Sequence, residues 1–291
     1  FFKPDGGYFA WIDVNGNDQF DPGTDAVDLD GDGAAATQEI LSFFDGEAFC
    51  IYTSMGPILD SDDGEFDVGW DWLYADLNGN GERDYGASDG FGEDDPSLGE
   101  PIFLVDDVNG NNKLDPEEKL IALGTSKFVA VFDGDTAYER GVNLLDAPVD
   151  SNSSHGTGVA GILAGGVIGH TTLTGLAPEA ELLTASHNVD PHGSTTDLFV
   201  WAVQNDADLI LHEYAFWFGT HLDGSTNQDG MMDDAADMGI AQITPAGNLG
   251  GWEKHCNFEL EPGGTIELPA VLPPDPRWGG DYTYLGLDFH W

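Results

Sequence analysis

Three segments repeat one arrangement of oxygen-bearing side chains: Asp13-Val-Asn-Gly-Asn-Asp-Gln-Phe-Asp21, Asp76-Leu-Asn-Gly-Asn-Gly-Glu-Arg-Asp84 and Asp107-Val-Asn-Gly-Asn-Asn-Lys-Leu-Asp115. The oxygens fall at positions 1, 3, 5 and 9: Asp13, Asn15, Asn17 and Asp21; Asp76, Asn78, Asn80 and Asp84; Asp107, Asn109, Asn111 and Asp115. Calcium takes roughly six to eight hard oxygen ligands on a tightly curled loop, and this spacing suits it. A fourth segment, residues 28 to 39, fits a twelve-position loop with ligands Asp28, Asp30, Asp32 and Glu39 and with Gly33 at the sharp turn. Glu118 holds the twelfth position of the third repeat. Asn-Gly pairs also reverse chains with no metal, but a plain turn needs no regularly spaced carboxylates. The expected ligand is Ca2+.

A second kind of chemistry is written into Ser153-Ser-His-Gly-Thr-Gly-Val-Ala-Gly-Ile-Leu-Ala-Gly165, which places His155 in the first turn of a small-residue helix. A general base fits there. Val159, Ile162 and Leu163 give the helix an apolar side, and Gly156, Gly158 and Gly161 would admit a close neighbour. Further on, Pro245-Ala-Gly-Asn-Leu-Gly250 follows a short apolar strand and presents Asn248 on a turn. Upstream, Phe128-Val-Ala-Val-Phe-Asp-Gly-Asp135 reads as a buried strand ending in carboxylates, Asp133 first.

The elements that position these residues differ along the chain. Residues 1 to 126 are Gly- and Asp-rich with short apolar runs such as Tyr8 to Ile12 and Ile102 to Val105, which predicts calcium-held loops and short strands. Flanking amphipathic helices are mostly missing. Residues 127 to 251 alternate: strand near 128 to 132, helix from 155, strand near 181 to 185, helix near 196 to 204, strand 208 to 212, helix near 230 to 238, strand 240 to 244. This is the pattern of an α/β fold with a parallel sheet. Residues 252 to 291 change to β-type alternation around prolines and read as the start of an inserted β-sandwich.

The histidine segment resembles the histidine motif of subtilisin-like serine peptidases, the subtilases. Gly175 to Leu183, Trp201 to Leu211 and the Asn248 segment resemble the family's later motifs in order. The resemblance, over roughly residues 127 to 251, implies a parallel-sheet core, His155 as general base, Asn248 as oxyanion-hole donor and a polypeptide substrate. It makes Asp133 a candidate for the acid that orients His155. Only 22 residues separate the two, however, so residues 1 to 126 could instead be an insertion after an acid upstream of Phe1. The family's serine motif is missing: Gly251 to Trp291 contains no serine, and Ser54 precedes the histidine in a context that only superficially matches. The acidic loops resemble the calcium loops of dockerins and thrombospondin type 3 repeats.

Composition bounds the partners. With 54 acidic residues against 8 basic ones the formal charge is −46, which repels nucleic acid and anionic membranes and attracts cations. Of those acids 35 lie in residues 1 to 150, where a uniformly solvated acidic surface would spread them more evenly. No apolar run has transmembrane length. The start at Phe1-Phe2, with neither an initiator methionine nor a signal peptide, reads as a processed or partial chain. Cys50 and Cys256 permit one disulfide. Millimolar calcium outside cells would load even weak loops, so a secreted or cell-surface location is expected. Two functions follow: part of a secreted, calcium-stabilised serine endopeptidase lacking its nucleophile, or a calcium-loaded extracellular structural or filament protein on a subtilase-like scaffold, with a self-assembly partner.

Overall fold

The computed structural model describes residues 1–45, 64–148, 155–186, 195–213, 223–246 and 259–267. The chain forms two compact units, Phe1–Leu198 and Phe199–Trp291. The first holds a six-stranded sheet built from β1 (Gly7–Ile12), β2 (Ala26–Asp28), β3 (Leu41–Phe44), β4 (Trp72–Ala75), β5 (Ile102–Asp106) and β6 (Lys119–Leu123). Their order is β2-β1-β6-β5-β4-β3, and every pairing is antiparallel.

Alternation along these strands sends one set of side chains to each face. Leu73, Phe103, Leu120 and Leu41 lie on one face and are fully buried, joined by Trp11, Val27 and Val105. Loop side chains close this face: Leu114 is buried in the cluster, and Phe20 and Phe66 pack against it with ring centroids 5.0 Å apart. Ile102, Leu104 and Leu123 face the other way, towards Phe2 and Val167. The expectation of loops with short strands therefore understates this region, which owns a continuous core.

A smaller sheet follows, ordered β8-β7-β9, from β7 (Phe128–Phe132), β8 (Ala137–Glu139) and β9 (Leu182–Ala185). β7 pairs antiparallel with β8 and parallel with β9. The parallel pair is joined across helix α1 (His155–Ala164). The apolar side of α1 departs from expectation: Ile162 is 61% exposed whereas Ala164 is fully buried. Two residues apart on a helix is about 200° of rotation, so the two cannot share a face. Of Gly156, Gly158 and Gly161, only Gly161 meets a neighbour among the described residues, a Cβ there standing 4.0 Å from Phe1 Cζ. A Cβ on Gly156 or Gly158 would meet no atom of the described residues within 4 Å, whereas one on Gly175 would stand 2.6 Å from the Leu163 carbonyl carbon. Close approach to α1 is thus made from the connecting chain.

α2 (Thr195–Gln204) leads into the second unit, which contains β10 (Leu209–Leu211), α3 (Asn227–Asp237) and β11 (Ala241–Ile243). β10 and β11 pair parallel. The acidic segment before α3 is a capping box: Thr226 Oγ1 accepts the Asp229 N–H at 3.1 Å, and Asp229 Oδ2 accepts the Thr226 N–H at 2.9 Å. The largest sheet of the molecule is antiparallel, and parallel pairing is confined to β7–β9 and β10–β11 among the described residues. Of residues 252 to 291 only 259–267 are described, and they hold a turn and no strand.

Candidate functional site

Each acidic loop connects strands that are consecutive in sequence, and all are built on one hydrogen-bond frame. In the first, between β1 and β2, Asp13 Oδ1 accepts the Gly16 N–H at 2.7 Å and Oδ2 accepts the Asp18 N–H at 2.8 Å. The Asn15 side-chain oxygen accepts the Asn17 N–H at 3.1 Å, and that of Asn17 accepts the Gln19 N–H at 2.8 Å. These bonds curl the chain so that the side chains of residues 1, 3 and 5 are each tied to backbone N–H groups of the same turn. Asp21 closes the ring, taking amide N–H bonds from Asn15 at 2.6 Å and Asn17 at 2.7 Å.

The second and third repeats reproduce this in detail. Asp76 accepts from Gly79 at 2.6 Å and from Gly81 at 2.8 Å, and Asp84 takes the side-chain amides of Asn78 and Asn80. Asp107 accepts from Gly110 at 2.7 Å and Asn112 at 2.8 Å, and Asp115 takes the amides of Asn109 at 2.6 Å and Asn111 at 2.7 Å. The sixth position of each loop has a left-handed backbone, at φ 59° for Asp18, 80° for Gly81 and 59° for Asn112. In the Asp28 loop that position is Gly33, at φ 75°. There Asp28, Asp30 and Asp32 bring carboxylate oxygens within 4.8 Å of one another.

A buried carboxylate ends every loop, just before the next strand. Glu39, 3% exposed, accepts the Leu29 N–H at 3.0 Å and the Ala36 N–H at 2.9 Å. Glu118 accepts from Val108 at 2.9 Å and Asp115 at 3.0 Å. These two the twelve-position spacing identifies. It misses their counterparts. Asp25, fully buried, accepts from Val14 at 3.0 Å and Asp21 at 2.7 Å; Glu100, 1% exposed, accepts from Leu77 at 2.7 Å and Asp84 at 3.0 Å. In all four the carboxylate bridges the second and ninth N–H groups of its loop. Burial pushes the carboxyl pKa of Asp25 and of Glu100 up, against the backbone bonds that lower it. Asp13, half-buried, is shifted down, first by the Asp18 N–H.

The connection between β3 and β4 carries the ends of the same frame. Gly64, at φ 80°, donates to Asp45 Oδ2 at 2.6 Å, and Asp67 N–H donates at 2.7 Å to Asp71, which is 3% exposed and precedes β4. All five connections of the sheet thus open on an aspartate and close on a buried acid.

The candidate catalytic residues are less fully defined. Asp133 follows the last residue of β7 and spends its carboxylate on its own turn. Oδ1 accepts the Thr136 N–H at 2.7 Å and the Asp135 N–H at 2.9 Å, and Oδ2 accepts the Tyr138 hydroxyl at 3.3 Å. The Thr136 bond leads the causes that hold its pKa below the usual carboxylate range, so it is an anion at neutral pH. His155 is the first residue of α1; its ring, and so its separation from Asp133, lies outside the described residues, as do Asn248, Ser54, Cys50 and Cys256. Glu213, after β10, is exposed.

No helix among the described residues is long and apolar enough to cross a membrane. No curated protein and no solved structure matches the chain. The sequence pattern of the subtilase family matches residues 66–273, more than two thirds of the chain, and the chain therefore belongs to that family, the subtilisin-like serine peptidases.

Proposed function

We propose that this chain is part of a secreted, calcium-stabilised subtilisin-like serine endopeptidase, with a polypeptide as substrate. His155 acts as general base, Asn248 donates to the oxyanion and Asp133 is the candidate acid; the nucleophilic serine is supplied from outside these residues. The family match carries this reading, supported by the order of the motifs and by the two parallel strand pairs expected of the core. Ca2+ is held by the side-chain oxygens of the four loops: Asp13, Asn15, Asn17 and Asp21; Asp28, Asp30 and Asp32; Asp76, Asn78, Asn80 and Asp84; Asp107, Asn109, Asn111 and Asp115. Asp25, Glu39, Glu100 and Glu118 close them. The donors are hard oxygens throughout, as calcium requires, and a cation would offset the repulsion of carboxylates packed this closely. Loops that must be loaded suit a calcium-rich extracellular setting.

A fluorophosphonate probe tests the catalytic part. The 291-residue chain alone should remain unlabelled, a serine-bearing segment of the same protein should restore labelling, and His155→Ala should then abolish it. Labelling of the isolated chain would refute the external nucleophile. The repeated acidic loops favour a second reading, a calcium-loaded assembly or filament protein on the same scaffold. Calcium-dependent polymers, with no labelling under any complementation, would select it.

A further inference from the structure

Lys127 is a buried charged group that the proposed chemistry does not use. It is 3% exposed and directly precedes β7, and its carbonyl accepts the Leu182 N–H at 2.8 Å where β9 begins. Its main chain is therefore tied to the parallel pair. Its Nζ donates to the carbonyl oxygens of Ala164 and Gly166, both at 2.7 Å. Ala164 is the last residue of α1 and fully buried. A helix end leaves its last carbonyls unpaired and carries partial negative charge, so an ammonium there is well placed. Burial, then Lys3, holds the Lys127 pKa below its ordinary value.

Stability alone is a poor reason for such a group. Desolvating an ammonium costs several kcal/mol, and an apolar side chain would fill the same space. What the ammonium adds is direction: two short bonds specify one position of α1 against the start of β7. The crossover fixes the rest. Leu182 of β9 pairs with Phe128 of β7, and the chain between α1 and β9 is bound to the helix end through Gly175 N–H to Gly165 at 2.9 Å and Ala177 N–H to Leu163 at 2.7 Å. The last turn of α1 thus stands at the edge where β7 begins. A helix of 10 residues and a strand of 5 are about 15 Å and about 17 Å long. His155 therefore lies at the opposite end of α1 from the carbonyls that Lys127 holds.

We propose that Lys127 is a positioning residue for His155: through two carbonyls at the far end of α1 it sets where the first residue of that helix stands relative to the end of β7. This rests on reading His155 as the histidine of the site. The test uses the full chain with Lys127→Met and the charge-retaining Lys127→Arg. Lys127→Met should speed amide exchange across α1 at least about tenfold while β1 to β6 exchange as before. The His155 imidazole titration, followed by NMR, should differ from that of the native chain, and Lys127→Arg should keep the native curve. Unchanged α1 exchange and titration would overturn the proposal, and so would loosening spread equally through β1 to β6. Should Lys127→Met fail to fold, Lys127→Gln, which cannot reach both carbonyls, is scored on the same two readouts. The underlying reading fails separately, if His155→Ala leaves a serine-completed protein reactive to fluorophosphonate.

Discussion

The six-stranded sheet and the β7-α1-β9 crossover lie in one unit, yet they are held together by opposite means. In the sheet, Leu73, Phe103 and Leu120 are fully buried, and every strand connection is an acidic loop closed by a buried carboxylate. In the crossover only the small residues Ala130 of β7 and Ala164 of α1 are buried among the described residues, and position depends on a few polar pins, Lys127 first among them. The proposed catalytic residues therefore sit on the thinner framework, and the thick one carries the dense acidic loops. Chelation tests this contrast most sharply. Each site at about a hundredfold excess of calcium over Kd adds about 2.7 kcal/mol, so stripping the four loops should lower the melting temperature of the sheet by more than about 10 °C. Calorimetry with and without chelator measures it, and an unchanged transition would dismiss calcium as the stabiliser.

The next largest effect separates the two cores directly. Phe103 is fully buried and pairs with Leu73 and Ala122 on neighbouring strands. Phe103→Ala should cost about 3 to 5 kcal/mol. Val131, half-buried in β7, should cost roughly 1 kcal/mol or less as Ala. Denaturant melts of both variants in saturating calcium make the comparison; equal losses would show that the crossover carries a core of its own.

What the sequence revealed divides along the same line. The strands and helices of residues 127 to 246 were legible because alternating apolar runs and Gly-rich turns mark them, and β7, α1, β9, α2, β10 and β11 fall close to their expected places. The loops were legible because calcium-type spacing is local. Asp25 and Glu100 were not. Asp25 stands one position beyond the twelfth, where a shorter side chain reaches the same two N–H groups, and Glu100 closes its loop across an excursion from Tyr85 to Gly99. The signal that would have found both is an acid immediately ahead of the next apolar strand. The antiparallel sheet escaped because long acidic loops separate its consecutive strands, and because the pairing of β1 with β6 joins the two ends of the region.

Acidity should act on the two regions with opposite sign. Burial raises the folded-state pKa of Asp25 and Glu100 above their unfolded values of about 3.9 and about 4.3. The folded chain then binds more protons between the two values, so chelated protein gains stability as pH falls through the raised pKa and loses it as pH rises. Asp13 opposes this with a lowered pKa, but it heads an exposed loop where solvent screens its charge. Without calcium, melting at about pH 5 should exceed melting at about pH 7.5 by a few degrees. With calcium the order should reverse, because the ligands must stay ionised. The same order in both conditions would show that the loop carboxylates do not control the sheet.

The smallest expected effect lies in the crossover. Glu181, just before β9, receives Arg140 at 2.9 Å from the end of β8 and Lys3 at 2.5 Å from the first residues of the chain. Both cations lower its pKa, Lys3 most, so its contribution is present above the unfolded value and disappears as pH falls through the folded one. The glutamate side chain is 44% exposed, which keeps the ion pairs in high dielectric. Glu181→Gln should therefore cost less than about 1 kcal/mol, less still in high salt, with the loss vanishing in acid. A larger, salt-independent loss would mean that Glu181 works as Lys127 does, as a directional pin on the crossover, and would move it from the weak side of the comparison to the strong one.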